Sequence, residues 1–337
     1  MADRIAILGA GAWGTALAVH LASRSAAKPQ VMLYARDEVQ ARTIRATGVN
    51  ERYLPGIPLP PSVGVTSQLE VAVAHCDVLF AATPVAELAS LHRALPPTCQ
   101  VPFVWLSKGF VAAPEFAGGF ALAHQFFATR SRAPVGVVSG PTFAQEVAQG
   151  MPTALSVACT DATVSATVAR LLRGDALRAY ESDDVAGVET GGAIKNVLAI
   201  AAGASDGLGF GHNARAALIT RGLAETGRLL AALGGRRETL MGLAGLGDLV
   251  LTCTGDLSRN RRVGLALARG ERIEAILAEI GHVAEGVFAA QAAHALAQHH
   301  GLDMPISETV YRVLYERLAP RAAVAELLRR EPKAEGE

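Results

Sequence analysis

The chain has little of what marks several common protein classes. Of its 337 residues only four are cysteine, and Cys76, Cys99, Cys159 and Cys253 include no Cys-x-x-Cys pair. Four reduced structural thiols are therefore expected rather than a disulfide framework. The nine histidines show no His-Glu-x-x-His pattern and no cluster with cysteine or carboxylate at zinc spacing, so no metal is expected. An excess of one charge is missing too: Lys+Arg and Asp+Glu each number 31. No basic field is present to attract nucleic acid or an anionic membrane. No apolar run reaches about 18 residues without a charge or turn signal, so no membrane span is expected. Met1-Ala2-Asp3-Arg4 leads into a strand rather than a signal peptide, and a cytoplasmic location is expected. Aromatics make up only 5% while half the residues are hydrophobic, so the core must be built from Ala, Val and Leu.

Glycine is what the chain does have, 34 of them, mostly in short clusters. Arg4 to Leu8 reads as a strand. Gly9-Ala10-Gly11-Ala12-Trp13-Gly14 follows, then a helix over Thr15–Ser23 and a second strand over Val31–Tyr34. Glycines at this spacing between strand and helix, within a βαβ unit, form a dinucleotide-binding fingerprint. Gly9 allows the tight turn, Gly11 lets the backbone approach a pyrophosphate, and Gly14 lets helix and strand pack. Free amides around Ala12 and Trp13 can then carry the phosphates. The second strand ends at Ala35-Arg36-Asp37. Arg36 suits a 2′-phosphate and favours NADPH, with NADH open through Asp37; the alternative is a solvated strand-end arginine.

Strand and helix signals alternate onward. Strands are expected at Val63–Thr66, Val78–Ala82, Pro102–Leu106, Pro134–Val138, Val157–Cys159 and Leu177–Tyr180, with helices between them, one over Phe116–Thr129. Such alternation predicts a mostly parallel sheet covered by helices. Ligands of such sheets bind beyond the carboxyl ends of the strands. Lys108 stands at one such end, and Gly140 with Thr142 at another. From about Gly187 nearly everything reads as helix. We therefore divide the chain into a Rossmann-like dinucleotide-binding domain (1–188), an all-α substrate domain (189–330) and a flexible tail (331–337).

The first segment of the helical half, Gly191 to Ala202, has no polar side chain on any face except Lys195 and Asn196. A helix apolar all round is a buried helix, and a lysine in it must be paired or reach a polar cavity, unless it snorkels to the surface. Asp248, in Gly245-Leu246-Gly247-Asp248, is a second charge among apolar residues and the economical partner. Ser258, capping a helix that begins with Arg259 and Asn260, offers a helix N-terminus plus a guanidinium. That suits a phosphate, although a solvated basic helix start reads the same way.

In order, Gly-Ala-Gly-Ala-Trp-Gly (9–14), Ser-Lys-Gly (107–109), Ser-Gly-Pro-Thr-Phe-Ala (139–144), Gly-Gly-Ala-Ile-Lys-Asn (191–196), Gly-Leu-Gly-Asp (245–248), Ser-Arg-Asn-Arg-Arg (258–262) and Val-Ala-Glu-Gly (283–286) closely resemble the bacterial NAD(P)-dependent sn-glycerol-3-phosphate dehydrogenases. The resemblance runs nearly the whole chain. It implies reduction of dihydroxyacetone phosphate by NADPH or NADH to sn-glycerol 3-phosphate, a precursor of glycerophospholipids, in a soluble homodimer. It places Lys195 as proton donor and acceptor, supported by Lys108 and Asp248. It puts Lys108, Gly140, Thr142, Lys195, Asp248, Ser258, Arg259 and Asn260 on the substrate side. Besides the glycine turn, it puts Trp13, Arg36, Lys108, Ala144, Arg259, Val283 and Glu285 on the coenzyme side. Ala12 stands where many members have serine, so a contact there must be backbone. Two other readings share parts of this pattern: a two-domain dehydrogenase of the 6-phosphogluconate or 3-hydroxyisobutyrate type, and a catalytically silent dinucleotide sensor. The Ser-Arg-Asn and Gly-Leu-Gly-Asp blocks argue against the first. The presence of Lys195, Asp248 and Arg259 argues against the second.

Overall fold

Ile5-Ala6-Ile7-Leu8 is apolar at every position, as a parallel strand covered on both faces must be. In the computed structural model, which describes residues 3–25, 28–280 and 284–331, all four are 2% exposed or less. In chain order the first elements are β1 (Arg4–Leu8), α1 (Ala12–Ser23), β2 (Gln30–Tyr34), α2 (Glu38–Thr47), β3 (Val63–Thr66), α3 (Leu69–Val73), β4 (Val78–Ala81), α4 (Leu88–Ala94) and β5 (Phe103–Trp105). Then come β6 (Val111–Ala112), β7 (Phe120–Ala121), α5 (Ala123–Phe127), β8 (Val135–Ser139), α6 (Ala144–Ala148), β9 (Thr153–Cys159), α7 (Ala162–Leu172) and β10 (Leu177–Ser182). The remainder is helical: α8 (Val185–Gly207), α9 (Gly211–Ala232), α10 (Arg237–Leu240), a π-turn over Leu243–Gly247, α11 (Asp248–Thr254), α12 (Arg259–Ala268), α13 (Ile273–Ile280), α14 (Glu285–His300), α15 (Pro305–Tyr315) and α16 (Pro320–Leu328).

The chain divides into two compact units, residues 1–107 with 124–185, and residues 108–123 with 186–337. The first holds an eight-stranded sheet in the order β10-β9-β8-β5-β4-β1-β2-β3. All neighbours run parallel except β8 and β9. This is the α/β, Rossmann-like arrangement expected. Its core joins Val31, Leu33, Phe80, Val104 and Leu155 of the sheet to Leu17, Leu21 and Leu172 of the covering helices.

The second unit is organised around α8. One face, with Ile194, Leu198 and Ala202, packs on Phe110, Leu229, Leu249 and Leu296. Another, with Val197 and Ile200, packs on Val263, Ala289 and Val310. Core on more than one side is why the helix carries no polar stripe. By length and composition α8 could cross a membrane, but 89% of its apolar window is buried within the protein, as in a core helix. Where α8 meets α12, a Cβ added to Gly203 would lie 2.0 Å from the Arg261 carbonyl oxygen, and one on Gly264 would lie 2.0 Å from that of Ile200. The two backbones touch there, which fixes α12 relative to the Lys195 helix.

One expected element is absent. Phe116–Thr129 is not a helix: β6 and β7 pair as a short antiparallel ribbon, and only Ala123–Phe127 is α-helical. Gly118 and Gly119 both take positive φ, 66° and 76°, and turn the chain where helix propensity is weakest.

Candidate active site

The second unit contains three charged groups that share one buried contact. Lys195 projects from α8, and Asp248 is the first residue of α11. Lys108 follows directly on the last residue of the other unit's first segment, Ser107. Lys195 Nζ donates to Asp248 Oδ1, and Lys108 Nζ donates to the other carboxylate oxygen, Oδ2, at 2.5 Å. The side chains of Lys195, Lys108 and Asp248 are 8%, 11% and 1% exposed. One buried carboxylate is thus shared by two ammonium groups, whose positive ends converge there. Such a centre favours an oxygen that becomes negative during reaction.

Lys195 has a further partner that the sequence reading missed. Its Nζ donates to Thr252 Oγ1 at 2.9 Å, and that hydroxyl donates in turn to the Asp248 carbonyl oxygen at 2.6 Å. Thr252 lies four residues beyond Asp248, on the same face of α11, so the spacing Asp-x-x-x-Thr carried the signal. Burial pulls the Lys195 pKa down to about 8, against the upward pull of Asp248 and with the help of Lys108.

The start of α12 is built as expected. Ser258 is the N-cap and accepts from the Arg261 amide at 3.2 Å. Arg261 itself is occupied: Nε and Nη2 donate to Asp206 at 3.1 and 2.8 Å, and Nη1 to Asp256 at 2.9 Å. Arg259, in the first turn, is exposed and has no hydrogen bond or ion pair among the described residues. It is a guanidinium at a helix N-terminus, available to an anion. Asn260 is buried. Its Nδ2 donates to Asn196 Oδ1 at 2.9 Å, and its Oδ1 accepts from the Gly286 amide at 3.1 Å. Asn260 therefore ties the neighbour of Lys195 to the first turn of α14, where Glu285 is the first residue. Asn196 also went unassigned from sequence; a polar residue beside the lysine in an apolar helix was its only signal. Val283 lies outside the described residues.

In the first unit, the glycine turn has the geometry its spacing predicts. Gly9 takes φ +122°, and an added Cβ would lie 2.6 Å from the Ala82 carbonyl oxygen. A Cβ on Gly14 would lie 1.9 Å from the Gly9 carbonyl oxygen, while one on Gly11 would meet nothing within 4 Å. Gly11 is the N-cap of α1 and no side chain caps that helix, so the first-turn amides at Ala12 and Trp13 carry no side-chain cap. Thr83 Oγ1 and Ser139 Oγ, beyond β4 and at the end of β8, are buried with no hydrogen-bond partner among the described residues. Open space above Gly11, uncapped amides and unpartnered hydroxyls at the carboxyl ends of strands fit a dinucleotide. Gly140 takes φ +148°, Thr142 Oγ1 donates to its carbonyl oxygen at 3.1 Å, and Ala144 begins α6, which packs on α1. Arg36 is exposed just past β2, and Asp37 serves as the N-cap of α2, accepting from the Val39 amide at 2.8 Å.

Comparison with known proteins bears directly on these two sites. The family described as NAD-dependent glycerol-3-phosphate dehydrogenase N-terminus matches residues 4–165, and its C-terminus counterpart matches residues 184–325. A glycerol-3-phosphate dehydrogenase [NAD(P)+] of Aromatoleum aromaticum is 51% identical over 98% of this chain and 100% of its own length. One from Dechloromonas aromatica is 50% identical over 98% of the chain and 99% of its own. The crystal structure of glycerol-3-phosphate dehydrogenase from Coxiella burnetii superposes with a TM-score of 0.90 at 42% identity, covering 98% of this chain and 99% of that one. With both halves matched, and with relatives of this identity aligned end to end, the chain belongs to the NAD-dependent glycerol-3-phosphate dehydrogenase family.

Proposed function

We propose that the protein is a glycerol-3-phosphate dehydrogenase [NAD(P)+] that interconverts dihydroxyacetone phosphate and sn-glycerol 3-phosphate, supplying glycerophospholipid synthesis from the cytoplasm as a homodimer. The observation that carries the catalytic part is the buried Lys195–Asp248–Lys108 cluster. Gly9–Gly14 and Arg36, with Ala144, Val283 and Glu285, would hold the nicotinamide coenzyme, which when bound would supply or accept the hydride. Lys195 is the proton donor to the ketone oxygen during reduction. Of its three N–H bonds, one points to Asp248 and one to Thr252. The third remains for the substrate oxygen, so the two partners aim the proton. Lys108 adds a second positive charge where the oxygen turns negative. Arg259 and the α12 start at Ser258 and Asn260 bind the phosphate, with Gly140 and Thr142 also on the substrate side. The phosphate takes no part in the bond changes, so its binding energy serves to hold the reacting carbon in place.

The direct test is coenzyme absorbance with dihydroxyacetone phosphate, 6-phosphogluconate and 3-hydroxyisobutyrate offered separately. Turnover confined to the first pair of substrate and product supports the assignment, and turnover of either competitor in its place overturns it.

Two predictions follow from the roles assigned. Arg259→Ala should raise KM for dihydroxyacetone phosphate about 10- to 100-fold, the range for losing a charged hydrogen bond, with a smaller effect on kcat. Wild-type kinetics in this variant would place the phosphate elsewhere. The second concerns pH. Because Lys195 titrates at about 8, kcat/KM for reduction should be level below that pH and fall above it, as the donor loses its proton. For oxidation of glycerol 3-phosphate the same group must start neutral, so kcat/KM should rise through the same pH. Paired profiles that do not mirror one another would remove Lys195 as the group exchanging the proton.

A further inference from the structure

The end of β2 holds a charge pair that the glycine fingerprint does not explain. Arg36 Nη1 lies 3.3 Å from Glu87 Oε2, with the two side chains 81% and 45% exposed. Glu87 closes the short 3-10 turn Val85–Glu87 that follows β4 through Thr83-Pro84. Ser90 Oγ lies 3.4 Å from the same carboxylate oxygen. In the sheet, β1 runs between β4 and β2. Glu87 from the β4 side therefore meets Arg36 from the β2 side across the carboxyl end of β1, where the Gly9–Gly14 turn begins. A dinucleotide with its pyrophosphate on that turn places its adenosine ribose at the end of β2. The acid expected there, Asp37, already spends one carboxylate oxygen capping α2.

We propose that Glu87 is a coenzyme-specificity residue that offsets Arg36 and lets NADH compete with NADPH. The inference rests on the dehydrogenase reading above. With a 2′-hydroxyl bound, the Arg36–Glu87 pair stays closed and the carboxylate accepts a hydrogen bond from the hydroxyl. With a 2′-phosphate bound, Arg36 must leave Glu87 for the phosphate, and the carboxylate then repels the new dianion. Arginine at the strand end thus pulls toward NADPH while glutamate pulls back, and the ratio is set by the pair rather than by Arg36 alone.

The test measures binding without turnover. The full-length protein and its Glu87→Gln and Arg36→Ala variants are titrated calorimetrically with ADP-ribose and with 2′-phospho-ADP-ribose. Both residues are exposed, so neither change threatens the fold. Glu87→Gln should tighten 2′-phospho-ADP-ribose about fivefold relative to ADP-ribose, the size of one exposed charge–charge interaction. Arg36→Ala should weaken 2′-phospho-ADP-ribose selectively. The kcat/KM ratio of NADPH to NADH should move with the binding ratio in each variant. If wild type binds both ligands and Glu87→Gln leaves their ratio unchanged, the role of Glu87 is overturned and the dehydrogenase reading stands. Equal losses for both ligands in Arg36→Ala would show that the pair does not face the 2′ position, which overturns it as well. Failure of wild type to bind either ligand would overturn the coenzyme site itself, and this inference with it.

Discussion

Lys195→Met is expected to lower kcat for ketone reduction about 10³-fold or more, with coenzyme affinity unchanged. General acid–base catalysis supplies about 10²–10⁴-fold, and the positive charge on Lys195 stabilises the same oxygen before the proton moves. Methionine suits the site because it is apolar, unbranched and similar in length to the lysine stem, and the residues beside position 195 on α8, Ile194, Val197 and Leu198, are core residues. Asp248 is not stranded by the change, since Lys108 still donates to its Oδ2. Removing a buried ammonium also removes its desolvation cost. The variant should therefore melt at or above the wild-type temperature, which separates loss of chemistry from loss of fold. Steady-state kcat, a thermal melt and a coenzyme titration decide the matter. A folded variant that keeps a tenth of wild-type kcat would end the role assigned to Lys195.

Local chemistry made parts of this arrangement legible in the sequence. Ser258 capping a helix over Arg259–Ala268, and glycines at 9, 11 and 14 between β1 and α1, are signals within a few residues of one another. The all-round apolar face of α8 announced a buried lysine, and Asp248 was the obvious partner. What could not be read was the route of residues 108–123. Apolar residues at 116, 120 and 121 look helical, but Gly118 and Gly119 turn the chain and β6 pairs with β7 instead. That segment belongs with the helical unit, so Lys108 sits beside Lys195 and shares its carboxylate rather than standing at the sheet alone. The contact spans 140 residues, and no periodicity encodes a pairing of that kind. Glu87 escaped for the same reason: its link to Arg36 exists only because β1 separates two strands that are distant in sequence.

Asp248→Asn is expected to cost about 3–5 kcal/mol of stability, the range for breaking a buried ion pair by removing one partner. For a domain of this size that corresponds to a Tm about 6–20 °C lower. The physical reason is the count of charges. With Asp248 in place the cluster is one carboxylate against two ammonium groups, all nearly inaccessible to water. Without it the two ammonium groups lose the carboxylate they share in a dry site. One of them escapes by giving up its proton, so Lys195, already held at about 8 by burial against the pull of Asp248, must titrate lower still. The sign of the pH dependence follows. A lysine whose folded pKa lies below its unfolded one binds fewer protons when folded, so its contribution to stability rises with pH between the two values. In wild type that window runs from about 8 upward to the ordinary 10.5, and in Asp248→Asn it opens at lower pH. The stability gap between variant and wild type should therefore be widest at low pH, narrow as the pH rises toward 8 and stay level above it. Ketone reduction should weaken together with stability, its descending limb shifted to lower pH because a neutral lysine has no proton to give. Melting curves from pH 6 to 9 beside the reduction profile test both at once. A variant that melts with wild type across that range would show that Asp248 does not hold the two lysines together.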